Sequence, residues 1–230
     1  MAPGAAFQFP RERTPQTLNP LRTLMACGMR HEKKLRATGC VLIAGIDEVG
    51  RGPLAGPVVA AAAILPEKFR HKTLNDSKKL SADQRERIYA ELTVRDDVHW
   101  SVCVVEVEEI DRINILRASH EAMRRAVTAL TTTPDHALID GKPVRPFPIP
   151  HTALVGGDAL SFSIAAASVI AKVTRDRIMV EMDQLHPGYS FGQHKGYGTE
   201  LHLTKLKEHG PCPIHRRTFL PVEQAELPFL

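Results

Sequence analysis

At residues 45–53 the chain reads Gly45-Ile46-Asp47-Glu48-Val49-Gly50-Arg51-Gly52-Pro53, where the apolar run 41–46 ends. A β-strand points successive side chains to opposite faces, so two neighbouring carboxylates share one site only where the strand ends. Gly50 and Gly52 predict that end. Two acids about 4 Å apart repel by roughly 4 kcal/mol at the effective dielectric of a protein surface. A divalent metal ion removes that cost, since Mg²⁺ prefers oxygen ligands. The alternative interpretation is a surface turn with a solvated acid pair.

The apolar pattern on either side of this stretch predicts an α/β body with a mixed sheet, because strands and helices alternate after an initial run of strands. The first two strands are expected to pair through the glycine-rich turn. Ser81 and Gln84 form a capping box that opens one helix, and Gly210 closes another. The predicted strands are 41–46, 58–64, 98–107, 137–139 and 152–155, and the predicted helices are 81–92, 110–130, 164–182 and 199–209.

Positive charge is concentrated at the N-terminus. Residues 1–39 hold seven Lys or Arg against two acids, whereas the remaining residues hold 23 basic and 24 acidic side chains. Residues 1–39 are therefore interpreted as a basic, disordered extension, with an organellar transit peptide as the alternative. Residues 40–222 are expected to form the catalytic body and 223–230 a tail. A body without excess positive charge must bind any polyanion through local patches and metal ions.

The cysteines and the hydropathy indicate a cytoplasmic protein outside the membrane. Cys27, Cys40, Cys103 and Cys212 show no metal-binding spacing, which predicts free thiols in a reducing compartment. The longest apolar run, 58–65, has eight residues and is too short to span a bilayer.

Two further acids follow the pattern of the first pair. Asp140 and Asp158 each stand at the end of a predicted strand or in its glycine turn, where ligands and catalytic groups collect in α/β sheets. Four converging acids would bind two Mg²⁺ or Mn²⁺ ions, which can activate a water and stabilise a departing oxygen in phosphodiester hydrolysis. Each acid alone also has a structural interpretation, since Asp140-Gly141 is a common turn pair and Asp158 can cap the following helix.

Five stretches, spread over residues 41–222, together form a specific pattern. They are Gly45–Gly56, Leu74-Asn75-Asp76-Ser77-Lys78-Lys79-Leu80, Leu138-Ile139-Asp140-Gly141, Ala166–Asp176 and His194-Lys195-Gly196-Tyr197-Gly198-Thr199. In composition and order they resemble the type 2 ribonucleases H, the ribonuclease HII family. The resemblance implies a ribonuclease H-like fold, with a mixed β-sheet flanked by helices and a C-terminal helical extension.

The resemblance also implies that Asp47, Glu48, Asp140 and Asp158 are the catalytic acids that bind Mg²⁺ or Mn²⁺. The family usually carries Lys-Gly-Asp around the fourth acid, whereas this chain carries Gly156-Gly157-Asp158. The difference removes one cation expected to face a phosphate.

The turn Gly50-Arg51-Gly52 is expected to read the substrate. Glycines let a backbone approach a sugar closely, and backbone groups can then bond the 2′-hydroxyl that separates RNA from DNA. In the family this turn contacts the ribonucleotide, and the tyrosine matching Tyr197 packs on the next sugar; the alternative for Tyr197 is an ordinary loop aromatic. Lys79 and Lys172 are candidate phosphate contacts, together with Lys78, Arg175, His194 and Lys195, with solvated surface groups as the alternative.

The expected function is that of a metal-dependent endoribonuclease. It would hydrolyse RNA in RNA–DNA hybrids and cut 5′ of ribonucleotides embedded in duplex DNA, leaving 3′-hydroxyl and 5′-phosphate ends, as in ribonucleotide excision during DNA replication. The alternatives are a non-catalytic hybrid-binding protein and a related metal-dependent nuclease that cuts DNA junctions.

The C-terminal residues suggest one protein partner for a chain otherwise expected to be a monomer. Gln224, Leu227 and Phe229 have an order that resembles the short bacterial peptide that binds the replication sliding clamp. Exposed apolar residues in a tail call for such an explanation. The alternative is a tail that folds back onto the body.

Overall fold

A mixed sheet of five strands forms the centre of the structure, a computed structural model that describes residues 27–226. The strands lie in the order β3-β2-β1-β4-β5. The pairs β1–β2 and β2–β3 are antiparallel, whereas β1–β4 and β4–β5 are parallel. The strands are β1 Ile43–Val49, β2 Val58–Ile64, β3 His99–Val105, β4 His136–Asp140 and β5 His151–Leu154. The predicted α/β class with a mixed sheet is confirmed.

Eight α-helices accompany the sheet within these residues. They are α1 Arg30–Arg36, α2 Ala82–Thr93, α3 Val107–Ile113, α4 Ile115–Thr128, α5 Phe162–Leu185, α6 Phe191–His194, α7 Glu200–His209 and α8 Leu220–Glu226. Short 3₁₀ turns cover Ser77–Lys79 and Gly157–Ala159. The predicted capping box at the start of α2 is present in full.

Each face of the sheet is covered by a long helix. On one face, α5 and α2 pack with β2 in a core of alanine, valine and larger apolar side chains. The other face is covered by α4. At Gly45 a side-chain carbon would collide with the backbone of Ser163, so α5 can lie directly on β1 only because this residue is glycine. This close packing fixes the start of α5 against the strand that carries Asp47 and Glu48.

The first strand extends further than its apolar run predicts. It pairs with β2 as far as Val49↔Val59, so Asp47 and Glu48 lie within the strand. The expected strand end at the acid pair is therefore wrong. The strand stops at Gly50, whose φ of 99° is a left-handed conformation that glycine adopts without steric cost.

The single helix predicted for residues 110–130 is also wrong, because the chain forms two helices that meet at Asn114. This residue has a φ of 68°, and its side chain accepts a hydrogen bond from the Arg117 backbone N–H at 3.1 Å. Asn114 thus ends α3 and caps α4, and asparagine suits the cap because its side-chain oxygen accepts a hydrogen bond from the first turn of the helix.

The N-terminal boundary predicted at residue 40 lies too late. Helix α1 and the residues before it belong to the folded body, since Met29 packs in the core and Glu32 is fully buried. The Glu32 carboxylate accepts hydrogen bonds from Ser161 Oγ at 2.6 Å and the Ser163 backbone N–H at 3.0 Å. Composition does not reveal whether a carboxylate is buried, so this segment resembles a charged extension in the sequence. Residues 1–26 lie outside the described part.

Replacing Glu32 by alanine is expected to destabilise the fold by about 2 kcal/mol, because a buried N–H at the start of α5 loses its acceptor. Urea unfolding monitored by circular dichroism measures the change. Glu32→Gln keeps a side-chain oxygen and should lose less. Equal stability of wild-type and alanine proteins would contradict a structural role for α1.

The C-terminal tail predicted from residue 223 begins as a helix instead. Helix α8 covers Gln224, and Val222 within it is fully buried against Leu54 and Leu206. Leu227 and Phe229 lie outside the described residues.

All four cysteines are free, as predicted. No helix among residues 27–226 is both long and apolar enough to cross a membrane.

Candidate active site

Two acids meet where the central parallel strands separate. The pairing of β1 with β4 ends at Ile46↔Ile139, and the next residue on each strand is an acid, Asp47 on β1 and Asp140 on β4. Residues in register on neighbouring strands lie about 4.8 Å apart with their side chains on one face. The strand register therefore brings Asp47 and Asp140 together.

The third strand-end acid reaches the same place through a turn. The Gly157 backbone N–H donates to Asp140 Oδ1 at 2.6 Å, which fixes the 3₁₀ turn that contains Asp158. Asp158 is buried, with 5% of its surface exposed. The absence of the lysine that usually precedes this acid does not displace it from the others.

Burial and mutual repulsion raise the pKa values of three of these acids. Burial raises the pKa of Asp47 well above its usual range, and repulsion from Glu48 and Asp140 adds to the rise, which a hydrogen bond from Ser168 opposes. Burial also raises the pKa of Glu48, although Arg51 opposes that shift. Burial followed by repulsion from Asp140 raises the pKa of Asp158 to about 6. The four acids thus belong to one electrostatic site.

Two cations border the acids. Arg51 Nη1 lies 3.4 Å from Glu48 Oε1, and Lys78 Nζ lies 4.0 Å from Asp158 Oδ2. Burial disfavours the charged form of Lys78, but attraction to the surrounding acids raises its pKa overall. Both side chains are largely exposed and only partly neutralise the site.

The donor set fits a hard divalent cation. It consists of carboxylate oxygens, which Mg²⁺ and Mn²⁺ prefer as ligands. A bound cation would offset the energetic cost of burying these charges and of their mutual repulsion. Within residues 27–226 no three His, Cys, Asp or Glu side chains already form a closed ligand set.

Two buried arginines, Arg216 and Arg175, pack against the glycine-arginine-glycine turn. Arg216 donates from Nη2 to the Gly50 carbonyl at 2.5 Å, from Nη1 to the Arg51 carbonyl at 3.2 Å and from Nε to the Gly56 carbonyl at 3.0 Å. Burial and the charge of Arg175 lower the pKa of Arg216. Since these three carbonyls point inward to a guanidinium, the turn is fixed in one conformation.

Arg175 links this turn to the loop that carries Tyr197. Its guanidinium donates to the carbonyls of Pro57 at 2.9 Å, Ala55 at 3.1 Å and Lys195 at 2.9 Å. A side-chain carbon at Gly50 would collide with Arg175, so the close approach requires glycine there. The two loops therefore form one surface.

Tyr197 lies on that surface beside the turn. A side-chain carbon added at Gly52 would lie 3.9 Å from the Tyr197 ring. Tyr197 is 39% exposed. Lys172 Nζ lies 5.9 Å from the ring centroid and 2.7 Å from Asp176 Oδ1. Lys79 is exposed, and its Nζ lies 3.8 Å from Asp76 Oδ2. The structure thus brings the tyrosine and the turn together, with Lys172 beside the tyrosine ring.

Two residues considered as phosphate contacts have other roles. Arg175 is fully buried with all its donors directed at backbone carbonyls, and His194 is buried with Nε2 2.8 Å from the Tyr189 carbonyl oxygen. Lys195 is partly buried and its ammonium donates to the Gly192 carbonyl. The suggestion that Arg175 and His194 contact phosphates is wrong, because neither side chain is available at the surface.

Comparison with known proteins identifies the family whose motifs the sequence resembles. The family model described as Ribonuclease HII matches residues 44–222. The chain is 55% identical over 198 residues to a ribonuclease HII from Myxococcus xanthus, covering 86% of this chain and 67% of that protein. It is 51% identical over 197 residues to a ribonuclease HII from an Anaeromyxobacter species, covering 86% of this chain and 62% of that protein.

The chain belongs to the ribonuclease HII family.

Solved structures share the fold. The ribonuclease H2 from Pyrococcus horikoshii superposes with a TM-score of 0.66 at 30% identity, covering 81% of this chain and 97% of that one. The ribonuclease HII in a complex with PCNA from Archaeoglobus fulgidus superposes with a TM-score of 0.66 at 27% identity, covering 82% and 98%. The ribonuclease H-like fold and the assignment as an endoribonuclease of this family, both expected from the motifs, are confirmed.

Sequence reasoning missed one component of this ribonuclease HII site. Arg216 stands outside every quoted motif, and its contacts with residues 50–56 span more than 150 positions. No local pattern in the sequence signals that role.

Proposed function

We propose that this ribonuclease hydrolyses the RNA strand of RNA–DNA hybrids and cuts on the 5′ side of single ribonucleotides in duplex DNA. The observation that carries the proposal is the convergence of Asp47 and Asp140 beside a rigid glycine turn and Tyr197. The acids supply the reaction site, and the turn supplies backbone groups able to read a 2′-hydroxyl.

Asp47, Glu48, Asp140 and Asp158 would hold Mg²⁺ or Mn²⁺. When bound, such ions lower the pKa of a water nucleophile and stabilise the charge on the leaving oxygen. The chain's own residues position the substrate: Gly50 and Gly52 allow the sugar to approach, and Arg51 and Lys78 offer positive charge to the flanking phosphates. Cleavage would leave a 3′-hydroxyl and a 5′-phosphate.

The alternative of a hybrid-binding protein without catalysis is less consistent with this site. Binding a polyanion does not require four clustered acids facing its phosphates, since their repulsion weakens binding in the absence of a cation. Free thiols at all four cysteines are consistent with action in a reducing cytoplasm.

The direct test is incubation with Mg²⁺ and a duplex that carries one ribonucleotide, beside an all-DNA duplex of the same sequence. Cleavage only 5′ of the ribonucleotide is expected. Cleavage of both duplexes, or of neither in Mg²⁺ or Mn²⁺, would overturn the proposal.

Tyr197→Ala is expected to reduce cleavage at an isolated ribonucleotide by about tenfold or more and to affect binding to a long hybrid less. A ring packed on a sugar contributes about 1–3 kcal/mol, and a long hybrid offers many alternative registers. Single-turnover rates on the single-ribonucleotide duplex and equilibrium binding of the long hybrid measure the two effects. Tyr197→Phe retains the ring and should retain the preference. Equal losses on both substrates would assign Tyr197 a purely structural role.

We also propose that the C-terminus engages a sliding clamp through Gln224, Leu227 and Phe229. The Archaeoglobus relative was solved in a complex with PCNA, and Gln224 is exposed on α8. Because Gln224 is helical, an extended clamp peptide would require the end of α8 to unwind. Calorimetric titration of the clamp with the intact chain and with Leu227→Ala/Phe229→Ala tests this. Absence of binding by the intact chain at tens of micromolar, roughly −6 kcal/mol, would exclude it.

A further inference from the structure

The segment before α1 runs along the edge of the acid site. Cys27 Sγ donates to the Asp158 carbonyl at 3.6 Å. The Gly28 N–H donates to the Leu160 carbonyl at 3.3 Å, and the Gly28 carbonyl accepts from the Phe162 N–H at 3.0 Å. Helix α1 therefore begins next to the turn that carries Asp158 and leads away from it.

The outward face of α1 is entirely basic. Its one acid, Glu32, is buried and directed at Ser161, whereas Arg30, Lys33 and Lys34 are exposed. These three side chains and Arg70 line an open groove of about 680 Å³ beside Phe162, and no carboxylate lines it. None of the ion pairs among residues 27–226 involves Lys33, Lys34 or Arg70.

Two lysines connect this basic groove to the acids. Lys78 Nζ lies 4.0 Å from Asp158, and the charge of the exposed Lys79 acts on the Cys27 thiol where α1 begins. Positive charge thus continues from the acid site towards the groove. The glycine turn and Tyr197 share no lining residue with this groove.

We propose that the basic groove of α1 and Arg70 binds backbone phosphates of the substrate duplex several nucleotides away from the cut, on one side of it. This inference rests on the proposed function, since it assumes a nucleic-acid duplex at the acid site. A duplex carries one negative charge per about 1.7 Å of axis, so any duplex passing over the groove presents phosphates to it. The body outside residues 1–39 has 23 basic and 24 acidic residues, so such a local patch is needed to hold a polyanion.

The test compares the full-length protein with Lys33→Ala/Lys34→Ala. Binding of a fluorescent RNA–DNA hybrid is followed by anisotropy in EDTA between 50 and 200 mM salt (about 14 to 7 Å of screening length). We expect about tenfold weaker binding at 100 mM salt and a salt slope smaller by about 2, one unit for each lost phosphate contact. Arg112→Ala/Arg117→Ala removes the same charge from exposed positions on α3 and α4, which lie on the other face of the sheet, and should bind like wild type.

Duplex length locates the contact. Shortening the hybrid from one end should abolish the difference between wild type and the lysine variant, whereas shortening it from the other end should leave the difference intact. Unchanged binding by the lysine variant, an equal loss in the arginine control, or a loss independent of length at both ends would each overturn the inference. Addition of Mg²⁺ to the wild-type samples tests the proposed cleavage separately.

Discussion

An Asp47→Asn protein is expected to lose at least about 10²-fold in cleavage rate while folding more stably than wild type in metal-free buffer. The rate loss follows because the amide removes one negative charge from the site proposed to hold the cations, and a single such electrostatic contribution is worth about 10²–10³. The gain in stability follows from burial and from repulsion by Glu48 and Asp140, which raise the pKa of Asp47 and so disfavour its charged form in the folded state.

The sign of the pH dependence distinguishes this explanation from a general effect of mutation. A carboxyl whose folded pKa is raised destabilises the fold at pH values above that pKa, where it is charged in both states. The cost disappears as the pH falls towards about 4, where the carboxyl is protonated even in the unfolded chain. The advantage of Asp47→Asn should therefore be larger at neutral pH than in acid.

Urea unfolding in EDTA at pH 7.5 and at pH 4.5, with single-turnover cleavage in Mg²⁺, measures both effects. Asp96→Asn changes an exposed loop acid and should alter neither quantity. Full cleavage by Asp47→Asn at saturating Mg²⁺ would refute the metal-binding role, and a loss of stability at neutral pH would refute the electrostatic one.

An Arg216→Ala protein is expected to be destabilised by about 3 kcal/mol or more and to lose most of its discrimination between ribonucleotide and DNA substrates. The substitution leaves the carbonyls of Gly50, Arg51 and Gly56 without donors, and an unpaired buried polar group costs about 1–3 kcal/mol. It also frees the turn that is proposed to read the 2′-hydroxyl.

Arg216→Lys separates these two effects. Lysine retains the charge but cannot offer the planar fork that reaches three carbonyls, so it should recover part of the stability and little of the discrimination. Lys207→Ala, an exposed change on α7, is the matched control. Thermal unfolding and KM measured separately from kcat are the readouts. A fully active, fully stable Arg216→Ala protein would show that the turn holds its conformation unaided.

The parts of the site that sequence predicts are those encoded locally. Asp47 and Asp140 each follow an apolar run, so the sequence places both acids where their apolar runs end, and Asp140 is indeed the last residue of β4. Strand β1 continues past Asp47 to Val49, because its continuous antiparallel partner extends it through polar residues. The alanine-rich run of β2 supplies such a partner.

The parts that sequence misses depend on distant contacts. In the sequence, Glu32 is one charged residue among many. Its role as a buried hydrogen-bond acceptor depends on Ser161, which is 129 positions away. Arg216 likewise looks in the sequence like one of the two arginines that follow His215, although its partners lie in the turn after β1. Patterns of apolar residues identify the core, but a polar group buried by hydrogen bonds leaves no such pattern.

The link that Arg175 makes between the turn after β1 and the Lys195 carbonyl has a consequence for how the substrate surface opens. Since one guanidinium joins both loops, neither can detach without breaking bonds to the other. The backbone amides of the two loops should therefore become exposed in the same opening event, as one cooperative unit. The proposed recognition of the ribonucleotide and of the sugar that follows it would then be gained and lost together.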